Sequence, residues 1–125
     1  MGELGGHACV GAITVALVAT LERRGVKDVA SRIPWYFPTA EDYELRLRRA
    51  GFVPQSVQLI PRPTPLPTGM CGWLDTFANP FLAALPCEER GGFLDEVTAL
   101  LKPVLCDANG KWTADYIRLR FAAKP

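Results

Sequence analysis

Apolar positions recur at helical spacing over residues 8–24, where Val10, Ile13, Leu17 and Leu21 form one stripe and Val15 and Val18 widen it. The pattern predicts a helix apolar around most of its circumference, with Arg23 and Arg24 at its negative end and Gly25 as its stop. A second helix is expected after residue 39, because Thr39-Ala-Glu-Asp42 is a capping sequence. It places Tyr43, Leu47 and Ala50 inside and Arg46, Arg48 and Arg49 outside. Two runs instead alternate with period two. Residues 51–61 put Val53, Val57 and Leu59 on one face, and residues 115–121 set Ile117, Leu119 and Phe121 against Tyr116, Arg118 and Arg120. Pro54 marks the first run as an edge strand or a bulge.

Between these two strands lies a mostly helical stretch. A helix over 69–78 pairs Trp73 with Phe77 and is broken by Asn79-Pro80. Another opens at Pro86 or Cys87 with Phe93, Val97 and Leu100 as its inner stripe, and Pro103 marks its end. The segments joining these elements carry turn and loop chemistry. Residues 1–6 read as a glycine-rich lead-in, and 27–33 as a short amphipathic piece. Pro34-Trp-Tyr-Phe-Pro38 reads as a stiff extended loop, and 61–67, with four alternating prolines, as an extended connector. Such a connector could also serve an SH3-like partner. Residues 107–111 are a turn. The fold class is therefore α+β, an antiparallel strand pair carrying a cap of about five helices, in a single domain over 1–125.

Composition narrows the function. With 125 residues, 49% hydrophobic content and a formal net charge of +1, the chain can bury a core, and it lacks the basic stripe that phosphate backbones require. No nucleic-acid partner is expected. The charge-free run from residue 8 to 21 is too short to span a bilayer and has no basic leader, so neither a membrane nor a secretory role is expected. Cys9, Cys71, Cys87 and Cys106 are scattered without metal-ligand spacing, which predicts reduced thiols in a cytoplasmic protein and no metal site.

Several segments now occur together and in order: Gly5-Gly-His7 before an apolar helix, Pro34-Trp-Tyr-Phe-Pro38, Ala50-Gly-Phe52, Arg62-Pro-Thr-Pro-Leu66, Gly72-Trp-Leu-Asp-Thr-Phe77 and Asp115-Tyr-Ile-Arg-Leu-Arg-Phe121. The series resembles the C-terminal half of small-molecule class I methyltransferases of the trans-aconitate methyltransferase-like group, over nearly the whole chain. That resemblance implies a truncated methyltransferase fold in which 51–60 is the sixth strand and 115–121 the antiparallel seventh. In the family the seventh strand lies between the fifth and the sixth. The family holds S-adenosylmethionine through a glycine-rich loop after strand one and an acid after strand two. No strand followed by such a loop is read here, so no cofactor is expected on this chain alone. The chain is expected to align only with the family's segment beyond strand five, leaving the seventh strand a bare edge. A homodimer is the simplest cover for it.

The candidate chemistry rests on the same resemblance. His7, the one histidine, could move a proton near neutral pH, and it stands in a turn that faces the cleft of the resembling enzymes. Their pattern continues with glycine and asparagine where Ala8 and Cys9 stand here. Asp75 is the second catalytic candidate; relatives often carry a basic residue there, so its carboxylate argues against a carboxylate-bearing substrate. Trp35, Tyr36, Trp73, Phe77 and Trp112 would wall a pocket for a small apolar metabolite, with Tyr43, Arg62 and Tyr116 as polar handles. Packing in the core is the competing role for each aromatic. Cys9 or Cys71 could be a nucleophile only with His7 to activate it. Two functions are expected from this set. One is cofactor-independent cyclisation or isomerisation of an apolar metabolite, and the other is a non-catalytic subunit or split half that completes a methyltransferase.

Overall fold

The computed structural model describes residues Met1–Pro125. Along the chain run β1 (Gly2–Gly5), α1 (Gly11–Arg23), a 3-10 turn (Val29–Arg32), α2 (Ala40–Arg49), β2 (Val53–Pro61), β3 (Thr64–Pro65) and α3 (Gly69–Phe77). They are followed by α4 (Asn79–Leu82), α5 (Cys87–Leu105), β4 (Thr113–Ala114) and β5 (Ile117–Lys124). Two compact units divide these elements. The first holds Met1–Val10, Trp35–Pro63 and Asp115–Pro125; the second holds Gly11–Pro34 and Thr64–Ala114.

In the first unit the expected antiparallel pair, β2 with β5, is joined by a strand that the sequence did not announce. The order is β1-β5-β2, with Leu4 and Leu59 both opposite Leu119. The segment read as a lead-in is thus β1, and β5 is the central strand rather than a bare edge. Only four residues pair, two of them glycine, which is too short for a period-two signal. The expected bare edge of β5 is thus covered within the chain by β1.

The two faces of this sheet differ. Leu4, Val57, Leu59, Leu119 and Phe121 share one, where Leu119 is fully buried and Tyr43 of α2 packs on Phe121 at 5.0 Å between ring centroids. Thr39 caps α2 as its sequence predicts, its hydroxyl accepting from Asp42 N–H at 3.1 Å. Leu47 is buried, Tyr43 half-buried, and Ala50 exposed, so the inner stripe is one residue shorter than expected. The pairing skips a residue between Pro54 and Ser56, the predicted bulge. That extra residue flips the pleat: Val53 pairs with Lys124 and shares the face of Arg120, opposite Val57 and Leu59, and is 56% exposed. Glu3, Gln58, Arg118 and Arg120 populate the second face.

The second unit is helical. Ile13, Leu17 and Leu21 of α1, Trp73 and Leu74 of α3, Phe81 of α4, and Phe93, Val97 and Leu101 of α5 are among its buried side chains. Asn79-Pro80 starts the single turn α4 instead of only ending α3, with the proline in a first-turn position that lacks a helical N–H acceptor anyway. Pro103 lies inside α5, which continues to Leu105. Arg24 joins α1 to α5 through Glu96 at 2.8 Å and Glu89 at 3.4 Å. The proline connector supplies β3, which pairs with β4. The turn ahead of β4 is closed by Asp107, whose carboxylate accepts from the N–H groups of Asn109 and Lys111 at 2.9 Å.

Candidate functional site

Antiparallel pairing brings the carboxyl ends of β1 and β2 and the start of β5 to one end of the sheet. The loop after β1 is tied there at several points. Gly6 N–H donates to Ile117 O, His7 N–H to Pro38 O and Val10 N–H to Asp115 O, each at 2.9 Å, while Arg62 N–H donates to Tyr116 O at 2.7 Å. His7, Arg62, Tyr116 and the aromatic loop at 35–37 therefore gather from four separate stretches of sequence. His7 is exposed, whereas Cys9 two residues later is 2% exposed.

The loop between them is strained. Ala8 has φ +68° and Val10 φ +47°, in the left-handed region that disfavours any residue bearing a Cβ. The backbone at Ala8, where the resemblance implies glycine, adopts a conformation that glycine favours. Replacing Ala8 by glycine is expected to raise stability by about 1 kcal/mol, read as an upward shift of the urea midpoint. An unchanged or lower midpoint would mean that the left-handed turn carries no strain.

Charge at this end is paired across strands. Glu3 accepts from Arg120 Nε at 3.2 Å and lies 3.9 Å from Arg62 Nη1. The Arg118 guanidinium sits 5.2 Å from the centroid of the Tyr116 ring. Burial pushes the Cys9 thiol above its ordinary 9.0, against smaller opposing effects from a backbone hydrogen bond at Ile117 and the charge of Arg118. The neutral thiol is the form that folding favours. Its contribution to stability is complete below the unfolded-state value and fades as pH rises through the raised one. A neutral, covered thiol is a poor nucleophile. With a thiol reagent at pH 8, the exposed Cys71 and Cys87 are expected to react at once and Cys9 only on unfolding. Rapid modification of all four in the folded protein would contradict this burial.

The remaining sequence candidates occupy varied settings. In the first unit, Trp35 stacks on Phe37 with 6.1 Å between centroids, and the Phe37 ring covers Gly5, where a Cβ would strike it. Tyr36 is half exposed beneath Arg46, whose guanidinium is 4.9 Å from the ring centroid. Tyr43 belongs to the sheet core rather than to the sheet end. In the second unit, Trp73 is 6% exposed and packs on Phe77 at 4.9 Å, while Phe77 keeps 43% of its surface open. Asp75 is exposed and borders a cleft with Cys71, Asp95 and Thr98. Trp112 lines a cavity of about 350 Å³ with Pro65, Leu66 and Lys111. Glu3 and Phe37 were missed as site residues by the sequence reading, because a charge on a four-residue strand and the last member of an aromatic run have no signal of their own, and Arg118 was read only as part of the polar face of its strand.

These residues do not fit a donor site by themselves. Glu3, the acid on the strand before the glycines, is engaged by two arginines, and the space at Gly6 is taken by Leu59 and Leu119. No group of three or more His, Cys, Asp or Glu side chains is placed to hold a metal ion. No helix is long and apolar enough to cross a membrane.

The α+β architecture, with helices inserted in sequence between the last two strands of the sheet, is consistent with a partial methyltransferase fold. The chain is 38% identical over 111 residues, 89% of its length, to an uncharacterized methyltransferase of Schizosaccharomyces pombe. It spans about two fifths of that relative, 40% of its length, and is therefore methyltransferase-like over that part. No family model matches the chain.

Proposed function

We propose that this chain is the substrate-side portion of an S-adenosylmethionine-dependent small-molecule methyltransferase, working with donor-holding strands on the same polypeptide or on a second one. The observation that carries this reading is the order β1-β5-β2, in which β1 is an edge strand standing where the family continues its sheet toward the donor. The match to two fifths of a methyltransferase supports it. On this reading His7 exchanges a proton with the acceptor, and Arg62 and Tyr116 orient its polar groups. Cofactor-independent cyclisation or isomerisation asks for one apolar chamber walled by the five aromatics. No observation favours that activity, and Trp73 is taken up in packing. Self-association would be a second way to cover the β1 edge.

The test is equilibrium dialysis with labelled S-adenosylmethionine. It compares this chain alone with the chain mixed with the part of the fission-yeast relative that it does not match, expressed separately. The expected result is saturable binding only in the mixture, together with co-elution of the two parts. Stoichiometric binding by the chain alone would overturn the proposal, as would separate elution with sedimentation of the chain as a dimer.

A further inference from the structure

We propose that the outer face of α2 and the Tyr36 ring form a binding site for a small monocarboxylate with an aromatic or branched apolar body, independent of any transferase role. A cleft of about 670 Å³ is lined there by Tyr36, Asp42, Leu45, Arg46, Arg49 and Ala50. Its volume is in the range that small ligands occupy. Residues 42, 45, 46 and 49 fall on one face of the helix at spacings of three and four.

The state of the arginines is what singles this face out. Arg48, on the neighbouring face, is paired with Glu44 at 3.1 Å. Arg46 and Arg49 form no ion pair, although Asp42 is one turn from Arg46. Arg46 lies over the Tyr36 ring, a cation–π contact that limits its freedom while leaving donors unengaged. Arg49, three residues on, brings a second guanidinium to the same cleft. Guanidinium groups match carboxylates through two parallel hydrogen bonds.

Charge and surface then select the ligand. Two guanidiniums and one carboxylate leave the cleft with a single positive charge, which suits a monoanion and penalises a dianion beside Asp42. Leu45, 47% exposed, and the half-exposed Tyr36 ring give an apolar wall beside that charge. A simple acetate would leave this wall wet, whereas an aromatic carboxylate covers it.

The test titrates the full-length chain with benzoate, acetate and inorganic phosphate at low salt, following the side-chain Nε–Hε signals of Arg46 and Arg49 by NMR. Benzoate is expected to bind at least ten-fold more tightly than acetate or phosphate. Arg46→Gln and Arg49→Gln should each weaken it about ten-fold, while Arg48→Gln leaves it unchanged. Asp42→Asn should tighten phosphate more than benzoate. All these side chains are exposed, and a urea midpoint within error of the parent confirms that each variant is folded. Equal weakening by Arg48→Gln, unaltered titration of the Arg46 and Arg49 variants, or phosphate binding more tightly than benzoate would each overturn the proposal.

Discussion

Replacing Gly6 by alanine is expected to destabilise the protein by about 2 kcal/mol and to move the His7 loop, because the new methyl group has nowhere to go. It would strike the Leu59 side chain and lie 3.2 Å from Leu119 Cβ and 3.3 Å from Leu119 N. The leucine tip of Leu59 can rotate away. The backbone nitrogen of Leu119 cannot, since it belongs to the central strand of the sheet. The measurement is a lowered urea midpoint together with shifted amide signals for residues 6–10. Gly91→Ala is the matching control: it lies within α5 with nothing within 4 Å of the added methyl, so the change should raise stability by up to about 1 kcal/mol. A Gly6→Ala variant as stable as the parent would mean that the strand end is not packed as described.

The second large effect is expected at Phe93, which is fully buried on the inner stripe of α5. Truncation to alanine removes most of an aromatic ring from the helical core and should cost about 3–5 kcal/mol. Leu100, from the same helix, provides the contrast. Its seven-residue spacing from Phe93 places it on the inner stripe in a sequence reading, yet it is 45% exposed while Leu101 is 2% exposed. The stripe runs through 93, 97 and 101, a rotation of one residue that the pattern Leu100-Leu101 leaves ambiguous. Leu100→Ala should therefore cost less than 1 kcal/mol and Leu101→Ala about 2–5 kcal/mol, both read from the denaturation midpoint. Equal effects at 100 and 101 would place the helix in a different rotation.

Local rules account for much of the architecture. Thr39 and Asp42 form the cap that their spacing announces, Gly25 adopts φ +84° as a helix stop, and the Asp107 turn closes as its composition implies. Each depends on groups within a few residues of one another, so the sequence carries the whole interaction. The same holds for β2 and β5, long enough to show alternation, and for the irregularity that Pro54 signals.

Long-range pairing decided the rest. The four residues of β1 are a strand only because β5 offers hydrogen bonds along their length, and neither Gly2 nor Gly5 has a side chain to advertise a face. The skipped residue beside Pro54 determined which face Val53 occupies, a consequence that depends on the partner strand's register. Trp73 and Phe77 are paired by helical spacing alone, but their difference in burial, 6% against 43%, depends on what surrounds α3. For the candidate site, the chain order named His7, Arg62 and Tyr116 as chemistry-bearing residues. Hydrogen bonds between Gly6 and Ile117, Val10 and Asp115, and Arg62 and Tyr116 brought them to one end of a sheet. Residue types and short spacings are written in the chain, whereas proximity between stretches fifty residues apart is created only when the strands pair.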